Sequence, residues 1–497
     1  MRRPGLPAIA GLIAFIFHLV ANPHYGFFRD ELYFIICGFH PQWGYVDQPP
    51  AAPLLAAGSQ LFGHSLFLLR AVPAVFGGAS VYVVCLIVRE LGGGKFAAIL
   101  AAIGATLSLV LAAFAMKAGP DMVGLWLWPL AALYVLRIVK GADPRNWLAA
   151  GAAIGFSLES KYSVIFFAVA LLLGLVLSPE RRILRSTWFL AGAALAIALA
   201  LPNFIWQAAN GFPMWELLRA GQAGKNVTLS PLMYLATQLL LTNPLLALVW
   251  IAGLIWALIT PRTRFLGYAY VLLIAMMIAT HAKHYYPGDV YPILFAAGGV
   301  AVEAWTRRAL VLRPIFATVA IVAGIALLPY VEPILPENTF IAYNKALGPR
   351  IGQGAMVTEH LKQNWMTQDW ADMHGWPQLA ATVQSVYDAL PARERAQAVA
   401  VASNYGEAAA IDFFSGVPVI SGHNQYYLWG MRGYNGNVVI DVGGDCGASL
   451  HLFRESKRAA TFTAPYIMPY EDNLPIMICR GITKPLNQIW PGVKHYI

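Results

Sequence analysis

Apolar residues in this chain come in long unbroken runs rather than in alternating or heptad patterns. From residue 7 to residue 330 the runs recur at about 17 to 25 residues, the length that crosses the hydrocarbon core of a bilayer. They lie near 7–22, 66–88, 95–115, 121–138, 144–159, 161–178, 187–206, 230–258, 265–281, 289–306 and 311–330, which predicts about eleven membrane-spanning helices. The 144–159 and 161–178 runs are the least separate pair, because Glu159-Ser160-Lys161 leaves little room for a turn. After Tyr330 the runs stop. Glu332-Pro333-Ile334-Leu335-Pro336-Glu337-Asn338 reads as a rigid polar connector into a region of mixed polarity. There Ala398–Ala402, Val417–Ser421, Asn437–Val442 and Ala459–Phe462 read as short strands, and Leu379–Leu390 and Glu407–Phe414 as helices. The expected architecture is a polytopic α-helical membrane region over residues 1–330, followed by a soluble α/β domain over residues 331–497.

Composition agrees with the pattern. The 497-residue chain is 58% hydrophobic and 12% charged, whereas a soluble protein carries about a quarter charged residues. The net charge of +9 is a matter of topology once the cations are sorted. Arg2, Arg3, Arg89, Lys95, Arg137, Lys140, Arg145, Arg181, Arg182, Arg185, Arg262, Arg264, Arg307, Arg308 and Arg313 fall on one side, and Arg29, Arg70, Lys117, Lys161, Arg219, Lys225 and Lys283 on the other. Cationic loops prefer the cytoplasm, so the amino terminus is expected inside, with the first long loop and the carboxyl-terminal domain outside the inner membrane. An odd number of spans keeps this sorting. No nucleic-acid partner is implied; Arg181-Arg182 marks topology or touches anionic lipid headgroups. The first run follows Arg2-Arg3 like a secretory signal, yet it lacks a clear small-x-small cleavage site and reads as a retained helix. Cys446 and Cys479 both fall in the outer region, where they form a disulfide in an oxidising compartment or share the region by coincidence. Asn226-Val227-Thr228 matches a glycosylation sequon at chance level.

Charged groups at a membrane boundary are costly and face a cavity or a partner. Phe28-Arg29-Asp30-Glu31-Leu32-Tyr33 sets two adjacent carboxylates at the end of the first run, and Trp43-Gly44-Tyr45-Val46-Asp47-Gln48-Pro49-Pro50 adds a third in a loop stiffened by two prolines. Neighbouring residues of a helix do not share a face, so one of Asp30 and Glu31 enters a cavity, and Asp30 is the choice. Ala51-Ala52-Pro53-Leu54-Leu55 has the character of a segment dipping back into the bilayer. Lys117, Lys161 and Lys283 stand at span ends on the side that disfavours Lys, either snorkelling or held for an anion such as a lipid-linked phosphate. Asp121, after Pro120, opens a span as a helix cap or as a site residue. His281-Ala282-Lys283-His284-Tyr285-Tyr286-Pro287 packs imidazoles, an ammonium and phenols into one outer loop, either as part of an aromatic belt or as ligands for a divalent ion, though without closed-site spacing.

At these residues the chain resembles the membrane-embedded glycosyltransferases of the GT-C fold, of the glycosyltransferase family 39 type related to protein O-mannosyltransferases and bacterial aminoarabinose transferases. The pieces that carry the resemblance are Arg29 to Tyr33, Tyr45 to Pro50, Pro120-Asp121, Lys161-Tyr162 and Lys283 to Pro287, within residues 1–330. The resemblance implies inverting transfer of a sugar from a polyprenyl-phosphate carrier to a lipid, glycan or protein acceptor on the outer face of the membrane. It implies Asp30, with Glu31 beside it, as the catalytic carboxylate, Lys161, Lys283 and Lys117 at the donor phosphate, and Asp47, Asp121, His284 and Tyr285 organising the site. Asp47 and His284 are the candidates for a divalent metal ion. Where the related enzymes often carry Lys before the paired prolines, this chain has Gln48.

The rival from another class is a polytopic transporter or lipid-linked sugar flippase. Transporters more often show paired repeats and broken helices at the bilayer midplane, whereas these ionisable groups gather at one face.

Overall fold

In the computed structural model, the described residues are 5–225, 227–351 and 365–497; Arg2, Arg3 and the sequon's Asn226 lie outside them. Each predicted apolar run coincides with a helix or a broken pair of helices. Among the described residues, four helices are by themselves long and apolar enough to cross a membrane, Leu66–Glu90, Asp121–Val139, Thr187–Ala209 and Leu312–Tyr330, and counting each bent pair as one span gives up to seven. Leu6–Ala21, Asn146–Leu158 and Arg264–Ala279 are shorter apolar helices.

The breaks have local causes. The run expected as one helix over 230–258 is two, Pro231–Leu241 and Pro244–Ile259, bent by 108°. Pro244 supplies no N–H and opens the second piece, while Asn243, at φ +70°, accepts from the Leu245 N–H at 3.1 Å. Ser108, in extended backbone, splits Lys95–Leu107 from Leu109–Met116 at 63°, so the chain turns just before Lys117. The 161–178 run starts later than expected, at Val164, which leaves Lys161 in a turn rather than in a helix. Ala51–Ser59 is a short helix after the paired prolines.

Close helix packing rests on glycine. A β-carbon on Gly298 would stand 2.0 Å from the Val249 carbonyl oxygen, and one on Gly253 2.1 Å from that of Leu294. Helices Pro244–Ile259 and Tyr291–Trp305 therefore touch backbone to backbone.

The carboxyl-terminal region, expected outside the membrane, holds among its described residues one five-stranded mixed sheet: β1 (Ala398–Ala402), β2 (Val419–Ile420), β3 (Val438–Val442), β4 (Phe453–Phe462) and β5 (Leu474–Ile482), in the order β2-β1-β3-β5-β4. β1 pairs in parallel with β2 and β3, and β5 is antiparallel to β3 and β4. Helices Trp376–Asp388 and Tyr405–Phe414 pack together beside it. β5 is absent from the sequence expectation, because Pro475 and Gly481 inside it argue against a strand. β4 is longer than expected: its first residues, Arg454, Glu455, Lys457 and Arg458 among them, are exposed along the sheet edge, where charge is the usual guard against further strand pairing. Cys446 and Cys479 are joined in a disulfide.

The connector departs from expectation. Glu332 is buried rather than polar surface, and its carboxylate meets His18 of the first helix at 2.8 Å. Phe28, Met116 and Tyr330 of the membrane region share an apolar cluster with Phe340, Trp370 and Met373 of the outer region. The two regions are thus packed together.

Candidate active site

Asp30 and Glu31 open the helix Arg29–Phe39, and their fates diverge. Glu31 is fully buried; it accepts from Arg70 Nε at 3.2 Å and Nη2 at 3.0 Å, from the Ala118 N–H at 3.0 Å and from the Phe28 N–H at 2.9 Å. Four donors satisfy its charge, so it closes the helix start and anchors Arg70, whose Nη1 donates to the Asn22 and His24 carbonyls and whose Nη2 also donates to that of Gly26. Asp30, on the adjacent face, keeps a side chain 33% exposed. One oxygen, Oδ1, accepts from Tyr405 Oη at 2.7 Å and Arg29 Nε at 3.3 Å; Oδ2 takes no hydrogen bond from a described residue.

Asp47 joins the same neighbourhood through Tyr33, whose hydroxyl donates to Asp47 Oδ1 at 2.9 Å and accepts from the Gln425 N–H at 3.2 Å. Gln425 Oε1 in turn accepts from the Val46 N–H at 3.1 Å. The Tyr33 and Tyr405 rings lie 4.7 Å apart, so the two carboxylates are bridged by two phenols in contact. Gln48, next in sequence, is buried with both amide atoms unpartnered.

A second group surrounds Lys161. Its ammonium is paired with Asp121 and stands 4.1 Å from the Tyr286 ring centre and 5.0 Å from that of Tyr285. Asp289 is buried, with Oδ1 unpartnered, and its Oδ2 would be 2.2 Å from a β-carbon on Gly124, one turn along the helix that Asp121 opens. The two groups are tied by backbone: the Ala51 N–H donates to the Glu159 carbonyl at 2.8 Å, and Asn203 accepts from Tyr162 Oη at 2.6 Å while donating to the Trp43 carbonyl at 2.8 Å. The first outer loop is therefore fastened to the turn that carries Lys161.

His284 lies in the turn after Arg264–Ala279, its carbonyl accepting from Gln238 Nε2 at 2.9 Å and its own Nε2 buried without a partner. Burial, reinforced by the Lys283 charge, pushes the imidazole down to about 4, which keeps it neutral near pH 7. Lys117 stands apart from Lys161: it pairs with Asp369 of the outer region at 2.9 Å and covers the Phe28 ring at 4.3 Å. Neither Asp47 nor His284 belongs to a trio of possible metal ligands among the described residues. The one such trio among them is Asp441 with Cys446 and Cys479, whose sulfurs are bonded to each other.

Tyr405 and Gln425 went unrecognised in the sequence, as did Arg70's service to Glu31. Their signal is topological. Tyr405 follows the carboxyl end of β1 and Gln425 that of β2, the end of a parallel sheet where sites form.

Residues 47–206 match the family model described as Dolichyl-phosphate-mannose-protein mannosyltransferase. The crystal structure of ArnT from Cupriavidus metallidurans bound to undecaprenyl phosphate shares the fold, with a TM-score of 0.60 at 14% identity over 96% of this chain and 98% of that one. The apo form of the same protein gives 0.61 at 13% identity over 95% and 97%. The archaeal oligosaccharyltransferase AglB from Archaeoglobus fulgidus, in complex with an inhibitory peptide and a dolichol-phosphate, gives 0.51 at 13% identity over 83% of this chain and 63% of that one. Among curated proteins, none matches by sequence. The resemblance read from the sequence thus holds at the level of the GT-C fold.

Proposed function

We propose that the chain is an inverting glycosyltransferase with about eleven spans, moving a sugar from a polyprenyl phosphate to an acceptor hydroxyl on the outer face of the inner membrane. The observation that carries the reading is Asp30: an accessible carboxylate at a helix start, fastened through the first outer loop to the Lys161 turn, in a fold shared with a protein crystallised with undecaprenyl phosphate.

In this reading the acceptor oxygen attacks the anomeric carbon, and its proton passes to Asp30, which must lie within hydrogen-bond reach. The bond from that carbon to the phosphate oxygen breaks on the opposite face. The leaving phosphate monoester is a stable anion and needs no acid, only positive charge as the bond opens. Lys161 and Lys283 supply it, with Asp121 fixing the Lys161 ammonium. Glu31 is a helix anchor here rather than a second catalytic group, and Lys117 seats the outer region rather than the phosphate. Asp47 and His284 organise the site. The transporter reading draws no support from a geometry that gathers the ionisable groups at one end of the bundle.

The first test is mass spectrometry of polyprenyl phosphates copurified with the protein, followed by a panel of undecaprenyl-phosphoryl pentoses, aminopentoses and hexoses to find one that turns over. With that donor, Asp30→Asn should abolish transfer while insertion and expression persist. Near-wild-type turnover in the variant removes Asp30 from the base role.

A further inference from the structure

The base proposed above lies in the membrane region, yet the shortest hydrogen bond to it comes from the outer region. We propose that Tyr405 is a positioning residue for the Asp30 carboxylate, so that the site is complete only with the outer domain seated. The inference rests on Asp30 as the base.

Tyr405 Oη donates to Asp30 Oδ1 at 2.7 Å, the distance of a bond to an ionised oxygen. The phenol has little freedom to leave. Its ring lies 4.7 Å from Tyr33 and 4.8 Å from His423, with the Arg29 guanidinium 5.3 Å above it. Its N–H donates to His423 Nδ1 at 3.3 Å, and Asn404 caps the helix it opens by accepting from the Gly406 and Glu407 N–H groups at 2.8 and 2.9 Å. Because Tyr405 and Arg29 both bond Oδ1, the carboxylate is turned so that Oδ2 faces away from its protein donors. Tyr405 thereby sets the direction of the group that receives the acceptor's proton.

The experiment compares kcat and donor KM of the full-length protein and its variants with the donor selected by the panel. Tyr405→Phe keeps the ring and loses the hydroxyl. Expected is a fall in kcat of about ten- to hundredfold, the size of a lost hydrogen bond to a charged group, with donor KM within about twofold. A ring that merely fills space leaves kcat in place. Should Tyr405→Phe not accumulate in membranes, 4-fluorophenylalanine at 405 fills the space of the hydroxyl without donating, and the same fall in kcat is expected. Wild-type kcat in the variant that accumulates overturns the positioning role while Asp30→Asn stays inactive. Activity in Asp30→Asn overturns the base itself.

Discussion

Asp30 and Lys161 were legible in the sequence because a charge at a membrane boundary is informative by itself. Tyr405 was not, since its partner lies 375 positions away and a tyrosine in a soluble domain carries no local signal. The same boundary holds a pair of acids that the sequence also hid. Asn404 Nδ2 donates to Glu407 at 2.9 Å and to Glu471 at 3.0 Å, bringing two buried carboxyls together. Burial is the main cause raising both, helped in Glu407 by the neighbouring Glu471 charge, and it pushes Glu471 up to about 7. An unfolded Glu titrates near about 4.3, so the native state binds this proton more tightly than the unfolded one. Its contribution to stability is complete below the unfolded value and is lost as pH rises through about 7. Thermal unfolding of the purified protein between pH 5 and 8 should show a falling midpoint, and Glu471→Gln should flatten the slope. Parallel slopes in the two proteins would refute the assignment.

Helices were easier to read than strands. Runs of apolar residues announce a span whatever their neighbours do, whereas β4 and β5 gain their identity from the sheet they join. What the runs could not reveal was where a helix breaks, since Pro231 to Ile259 looks continuous until Pro244 and the Asn243 cap are weighed together. Nor did they show how close helices come. At Gly298 the obstacle to a side chain is backbone, which cannot give way. Gly298→Ala should therefore force helices Pro244–Ile259 and Tyr291–Trp305 apart, at a cost of about 1–3 kcal/mol. Because the second of these helices follows Asp289 directly, transfer activity should fall with stability. A thermal melt in detergent checks the first outcome, and one that matches wild type defeats it.

The composition change at Tyr330 separates two regions in the sequence, but it does not disclose that they share an apolar cluster around Phe28 and Trp370. That contact is built from residues scattered among loops, each unremarkable alone. The proposed orientation puts the Cys446–Cys479 bond, closing a separation of 33 residues, in an oxidising compartment. By chain entropy such a closure contributes about 4 kcal/mol. With Cys37 and Cys85 replaced by Ala, a large maleimide reagent should shift the denatured protein from cells only after reduction. Labelling of that variant without reduction would place this domain on the cytoplasmic side. The charged margin of β4 matters on a larger stage. Molecules confined to a bilayer carry their sheets at one common height, and lateral diffusion brings like borders together far more often than in free solution. The charges of Arg454, Glu455, Lys457 and Arg458 along that rim disfavour strand pairing in each such collision and so keep neighbouring copies from polymerising.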